Sequence, residues 1–356
     1  MSENADYFAG ILKDVYAEQY DESWFLSKYD HALTVIKVGE ELMERSADMA
    51  SLNEDEKNVL RTVLITHDFA ASHRKGVGKS SDYNYGYYHG AEGMQMLIDD
   101  YGITDARILL PVLVHNRLDD GFIYMSDEAL QRDSGFLDLK KNRPEICENI
   151  LKLREEYKNM SDRDKQVVKL ACDLVRDSDA LGLMMDYKTM FPLTNQPKIP
   201  EISERGLECA MNKEYVAEAD SVFSLPTKTI QFIARGFKFH YPETFQIAED
   251  KNLYQEMKNY AIDEVRKEQT GKDPDIEAKL IEASQKIDGV ITLLNKHSKE
   301  FAETYAKDSA LQSDSAEKTL KRWKEDHKPE RQAETGTKPI NPILLDAFRL
   351  RKGPNS

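Results

Sequence analysis

The apolar positions of this chain recur three and four residues apart over almost its whole length, the spacing that gathers them on one face of an α-helix. Ala32, Leu33, Val35, Ile36, Val38, Leu42 and Met43 form such a stripe and predict a helix over about 31–49. Val59, Leu60, Val63 and Leu64 form the next, with Ser51 and Glu54 in capping-box spacing ahead of it and an end near Asp68. Further helices are predicted over about 89–100, 105–117, 144–158 and 162–188, the last with Ser161 as its cap and Asp164 at the matching third position. Asn142-Arg143-Pro144 marks the break before the helix at 144. No pair of alternating Val/Ile/Thr runs flanks an Asn-Gly or Gly-Gly turn, so neither a hairpin nor a βαβ unit is expected. The pattern predicts an all-α fold.

Breaks in that pattern organise the chain. Residues 71–88, ASHRKGVGKSSDYNYGYY, read as a long loop of the kind that carries function, with two close glycines and four tyrosines. After Asp186, prolines at 192, 197, 200, 226 and 242 punctuate shorter helices, and a long charged helix follows at about 275–307. From Leu311 the chain loses aromatic residues and gains Lys, Glu, Pro and Thr. The expected division is a helical domain over 1–195, a helical C-terminal region over 196–310 and a flexible tail over 311–356.

Charge narrows the partners. The 356 residues hold 49 basic and 64 acidic side chains, a formal charge of −15. A field of that sign repels polyanions, which disfavours nucleic acid and anionic lipid as partners but permits a small anionic ligand where local cations reverse it. The opening MSENADYFAG lacks the features of a signal peptide, and no apolar run approaches the ~18 residues of a membrane span. With three cysteines and no CxxC pair, the expectation is a cytoplasmic protein with reduced thiols and no membrane association.

Five of the eight histidines, His31, His67, His73, His89 and His115, fall between residues 31 and 115. Four of them sit at predicted helix ends, which converge on a pocket more readily than helix middles do. A lone histidine on an apolar face is ordinarily a satisfied core residue. His67-Asp68 differs, because an imidazole and a carboxylate placed together behind the run VLIT must find partners once buried. A metal ion satisfies both, and this donor pair suits Fe, Mn, Co, Ni or Zn. Of the remaining histidines, His240 reads as part of a packed aromatic cluster with Phe237, Phe239, Tyr241 and Phe245, while His297 and His327 read as exposed.

The stretches YDHALTVIKVGEEL, VLITHDFA, YYHGAEGMQML, LLPVLVHNR and VRDSDALG, in that order, resemble the HD-domain superfamily of metal-dependent phosphohydrolases, in its binuclear version with two extra histidines. The resemblance covers about residues 20–190. It implies an HD-like helical bundle and two divalent transition-metal ions held by His31, His67, Asp68, His89, His115 and Asp179. Asp68 would bridge, with His31, His67 and Asp179 on the first ion and His89 and His115 on the second. Asp177 and Asp173 lie close to Asp179 in sequence and keep the last ligand open. The implied activity is hydrolysis of a phosphomonoester or phosphodiester, on a nucleotide-like or other small phosphorylated substrate, by a metal-activated water. Lys75 and Arg117, with Arg74 and Lys79, would offer cations to the phosphate, and His73 a proton to the leaving group. A subset of the superfamily uses the same ligands for a mixed-valence di-iron centre that activates dioxygen, which is the alternative activity. The reading from another class is a non-catalytic module whose C-terminal region binds a protein partner.

Overall fold

The computed structural model describes residues 5–19, 22–70, 89–115, 121–189, 196–214 and 224–326. Up to residue 189 the helices are α1 (Ala5–Gln19), α2 (Glu22–Arg45), α3 (Glu54–Thr66), α4 (His89–Asp99), α5 (Ala106–Val114), α6 (Gly121–Tyr124), α7 (Asp127–Leu130), α8 (Ser134–Asn142), α9 (Pro144–Asn159) and α10 (Asp162–Met185). Then come α11 (Glu204–Met211), α12 (Leu225–Ala234), a 3-10 turn (Arg235–Lys238), α13 (Pro242–Asp250), α14 (Leu253–Gln269) and α15 (Ile276–Asp326). Among the described residues there is no strand, and the protein is all-α as its periodicity predicts.

Side-chain caps set several of the starts. Asn53 accepts the N–H of Glu56 at 3.0 Å while the Glu56 carboxylate accepts the N–H of Asn53 at 2.9 Å. This box replaces the one expected from Ser51 and Glu54, because Ser51 lies in the preceding turn, too early to reach the unpaired N–H groups of α3. Glu56 also takes Arg163 of α10 at 2.6 and 2.7 Å, so one carboxylate starts α3 and ties it to α10. Ser161 caps α10 by accepting the N–H of Asp164 at 3.1 Å, as expected. At α2 the helix begins nine residues before His31, with Phe25 and Tyr29 stacked at 5.9 Å on its first turns. His31 is therefore mid-helix rather than at a helix start.

The middle of the molecule is α10, which packs against α2, α3 and α5 and also against α12, α13 and α14. The described residues up to Glu303 form one compact unit. Val167, Val168, Ala171, Cys172, Leu174, Val175, Leu181 and Met184 bury α10 on most of its circumference. A helix enclosed in this way must pair the polar groups it carries. Asp177 does so by accepting the N–H of His240 at 3.0 Å, the N–H of Tyr241 at 3.2 Å, the Thr244 hydroxyl at 2.6 Å and His240 Nδ1 at 2.8 Å. The N-cap residue of α13, Tyr241, makes no side-chain cap, so Asp177 supplies negative charge at that N-terminus from across the interface.

Phe237, Phe239, Tyr241 and Phe245 are buried as the expected satellite cluster. His297 joins their face instead of standing exposed, its ring 5.4 Å from Phe237 and 6.1 Å from Phe245. The cause is the repeat along α15, where Ile276, Leu280, Ala283, Ile287, Val290 and Leu294 are buried and His297 takes the next place on the same stripe. The helix runs to Asp326, in a stretch where Ala, Leu, Glu and Lys favour helix. His327 and the residues after it lie outside the described residues. Cys147, Cys172 and Cys209 are free thiols, and no described helix is long and apolar enough to cross a membrane.

Candidate metal centre

Two helix ends prepare a histidine in the same way. His67 closes α3 and His115 closes α5, where the last carbonyls of a helix lack intrahelical partners. His67 Nδ1 lies 2.9 Å from the Leu64 carbonyl and His115 Nδ1 lies 2.7 Å from the Val112 carbonyl. A carbonyl oxygen only accepts, so each ring carries its proton on Nδ1 and presents the lone pair of Nε2.

His89 opens α4, and the residue after it decides how close it comes to His115. A Cβ on Gly90 would stand 2.5 Å from the Leu113 carbonyl oxygen and 2.8 Å from that of Val112, so only glycine lets α4 meet the end of α5 at this distance. His89 Nε2 is then 3.0 Å from His115 Nε2, and the two lie 3.5 and 3.7 Å from Asp68 Oδ1. On α2, His31 Nε2 is 3.0 Å from Asp179 Oδ1 of α10, and Gly182 makes room, since a Cβ there would sit 3.3 Å from His31 Cε1. The result is two groups, His31, His67 and Asp179, and Asp68, His89 and His115, each with its donor atoms within 4.8 Å of one another. The His67 and His115 rings, 5.2 Å apart between centroids, place the groups side by side.

Burial controls the charge states. It pushes His67 down to about 4 and His89, with His115 beside it, down to about 3, so both are neutral donors near pH 7. Burial alone would raise Asp68, but the Lys28 ammonium and the neighbouring histidines hold its carboxyl well below the ordinary carboxylate range. Burial would likewise raise Asp179, and its bond to His31 reverses the direction. For His31, burial lowers and the bonds to Asp179 and Asp186 raise, with a net rise.

Whether an ion suits this arrangement is tested by His67 Nε2, which is fully buried and has no hydrogen-bond partner. Leaving such an atom unpaired costs about 1–3 kcal/mol. Its lone pair faces a cluster of imidazoles and carboxylates, the donor types that bind transition metals, and both groups fit a divalent ion. Compared with protein-family models, curated proteins and solved structures, the chain matches none.

All six expected ligands come together. Asp177, weighed against Asp179, is committed to α13, while Asp179 faces His31; Asp173 lies near His240 Nε2 at 3.7 Å. His73, Lys75 and Arg117, expected to act on the substrate, lie outside the described residues, as do Arg74 and Lys79. Three neighbours are absent from the sequence reading. Lys28 Nζ lies 2.8 Å from Asp68 Oδ2. Asp186 Oδ2 lies 3.2 Å from His31 Nδ1, and its other oxygen accepts the Thr34 hydroxyl at 3.0 Å. Buried Tyr16 of α1 is raised well above the ordinary phenol value, first by burial and then by Asp68 and Asp179. Helical spacing carried a signal for two of them. Lys28 precedes His31 by one turn and Asp186 follows Asp179 by two, so each shares a ligand's face.

Proposed function

We propose that this chain is a metal-dependent phosphohydrolase of the HD-domain type, acting on a small, nucleotide-like or similar phosphorylated substrate. The observation that supports it most is the convergence of residues from α2, the α3 end, α4, α5 and α10 on two adjoining donor groups. Divalent ions held there would supply an activated water and offset the charge on the phosphoryl oxygens. Asp68 would join the ion beside His89 and His115 through the oxygen that faces them, while its other oxygen accepts from Lys28. Six protein donors for two ions leave room for water and substrate, as a catalytic site requires.

The chain's own groups do the positioning. The Leu64 and Val112 carbonyls fix the tautomers of His67 and His115, and Asp186 with Thr34 orients His31. His67 and His115 are buried, which keeps bulk water from both rings.

Elemental analysis of wild type purified without added metal, beside folded Asp68→Ala, tests the reading. Wild type is expected to carry two Mn, Co, Ni, Zn or Fe ions and to release phosphate from a generic aryl phosphate. Asp68→Ala is expected to lose both properties, and a folded variant that keeps two ions overturns the assignment. Two irons with an oxygen-dependent spectral change and no phosphate release would replace hydrolysis by the di-iron oxygenase activity that the same donor set permits.

A further inference from the structure

The two donor groups are built from the same residue types but stand in opposite electrostatic surroundings. Beside His31, His67 and Asp179 a second carboxylate backs the first. Asp179 Oδ1 lies 3.0 Å from His31 Nε2, and Asp186 Oδ2 lies 3.2 Å from His31 Nδ1. Among the described residues, both carboxylates pair with His31 and with no lysine or arginine. Beside Asp68, His89 and His115 the ligand carboxylate is already paired with an ammonium, Lys28 Nζ standing 2.8 Å from Asp68 Oδ2. The Lys28 charge also reaches His31, where the two carboxylates outweigh it.

Protons do not separate the groups. An ion entering the first takes the place of a proton between His31 Nε2 and Asp179. An ion entering the second takes the place of one between His89 Nε2 and His115 Nε2, 3.0 Å apart, because His115 keeps its own proton on Nδ1. Each group gives up one such contact, so the neighbouring charges decide. Asp179 and Asp186 offer an arriving dication two negative charges, whereas Asp68 offers one that Lys28 offsets. The comparison applies to the first ion to arrive, before a second ion or a hydroxide is present. Charged neighbours behind metal ligands change affinity by about tenfold or more.

We propose that the ions load in a fixed order, first at His31, His67 and Asp179 and then at Asp68, His89 and His115, with Asp186 and Lys28 setting the order. The second ion is then the exchangeable one, and the supply of free metal controls whether the pair is complete. The proposal rests on the metal-binding part of the reading above and not on the reaction.

The test uses the full chain, stripped with a chelator and titrated calorimetrically with Mn. Wild type is expected to bind two ions in two steps about tenfold or more apart. Asp186→Asn, which keeps a polar partner for His31 and removes the charge, is expected to weaken the tighter step by about tenfold. Lys28→Met is expected to strengthen the weaker step by about the same factor. His89→Ala is expected to lose the weaker step and keep the tighter one. Wild type alone also reports the order: one equivalent of Zn is expected to shift the ring-nitrogen resonances of His31 and His67 before those of His89 and His115. Two equal steps, His89 and His115 shifting first, an unchanged tighter step in Asp186→Asn, or a weaker step that Lys28→Met does not strengthen each overturns the proposal and leaves the phosphohydrolase reading standing. A wild type that binds no ion brings down both, and the ion count distinguishes that case.

Discussion

Replacing Gly90 by alanine sets two effects of opposite sign against each other. Alanine exceeds glycine in helix propensity by about 1 kcal/mol, so propensity alone predicts a more stable α4. The new Cβ would meet the Leu113 carbonyl oxygen at 2.5 Å, about 0.9 Å short of an ordinary 3.4 Å contact, and the obstacle is backbone rather than a flexible side chain. Overpacking of this kind costs about 1–3 kcal/mol. Gly289, inside α15 with nothing within 4 Å of its Cβ position, is the internal reference, since there propensity acts alone. In urea denaturation of the metal-free protein, Gly289→Ala is expected to gain up to about 1 kcal/mol and Gly90→Ala to fall below it by about 1–3 kcal/mol.

The larger effect is expected at the donor groups. His89 is bonded to Gly90, and its Nε2 now stands 3.0 Å from that of His115. Metal–nitrogen bonds tolerate about 0.2 Å of error, so a shift approaching 0.9 Å separates the pair beyond repair by small adjustments. Elemental analysis of folded Gly90→Ala is then expected to show one ion per chain, held by His31, His67 and Asp179, in place of two. Two retained ions together with stability equal to that of Gly289→Ala would refute the close-approach argument.

Other consequences are equally direct. Asp177→Ala removes a buried carboxylate that accepts from the His240 and Tyr241 backbone, the His240 ring and Thr244, and urea denaturation is expected to show a loss of about 3–5 kcal/mol with both ions retained in the folded fraction. A loss below about 1 kcal/mol would show that α13 does not depend on it. Glu56 is held below the ordinary carboxylate value chiefly by its hydrogen bond to Arg163, so its contribution is complete above the unfolded value and fades as pH falls through the folded one. Glu56→Gln is expected to flatten the acid side of the stability curve, and parallel pH curves for the two proteins would contradict this. Phe8→Ala is expected to cost about 3–5 kcal/mol in the same assay, because Phe8 is 1% exposed and meets the rings of Phe69 and Tyr101.

Much of this architecture was legible because helices and their ends leave a local mark. The spacing of Val59, Leu60, Val63 and Leu64 gives α3 and its buried face, and a polar His-Asp pair set directly behind that run marks its end. What stayed hidden depends on which helices meet. Asp177 and Asp179 are two residues apart on one helix, and nothing in their own neighbourhood says that one is spent on α13 and the other faces His31. The choice is made by Thr244 and His240, more than sixty residues further on, whose backbone and side chains close around Asp177. His297 is a second case, since its charged sequence neighbours conceal a place on a buried stripe that begins at Ile276.

The cation beside Asp68 shows what local reading leaves out. Lys75, Lys79, Arg74 and Arg117, which follow ligand residues closely in sequence, lie outside the described residues. Lys28 lies forty residues from Asp68 in sequence, and its ammonium reaches the carboxylate. Sequence proximity to a ligand is one guide to such residues. A place one turn away on the same helix is a stronger one, because the helix fixes the direction: a side chain at i+3 must cover much of the surface that residue i covers. Positions 27, 28, 34 and 35 lie one turn from the expected ligand His31 on the same helix. Lys28 and Thr34 make contacts there, one with Asp68 and one with the Asp186 that orients His31. A ligand helix therefore carries supporting residues for its own site on the face that bears the ligand.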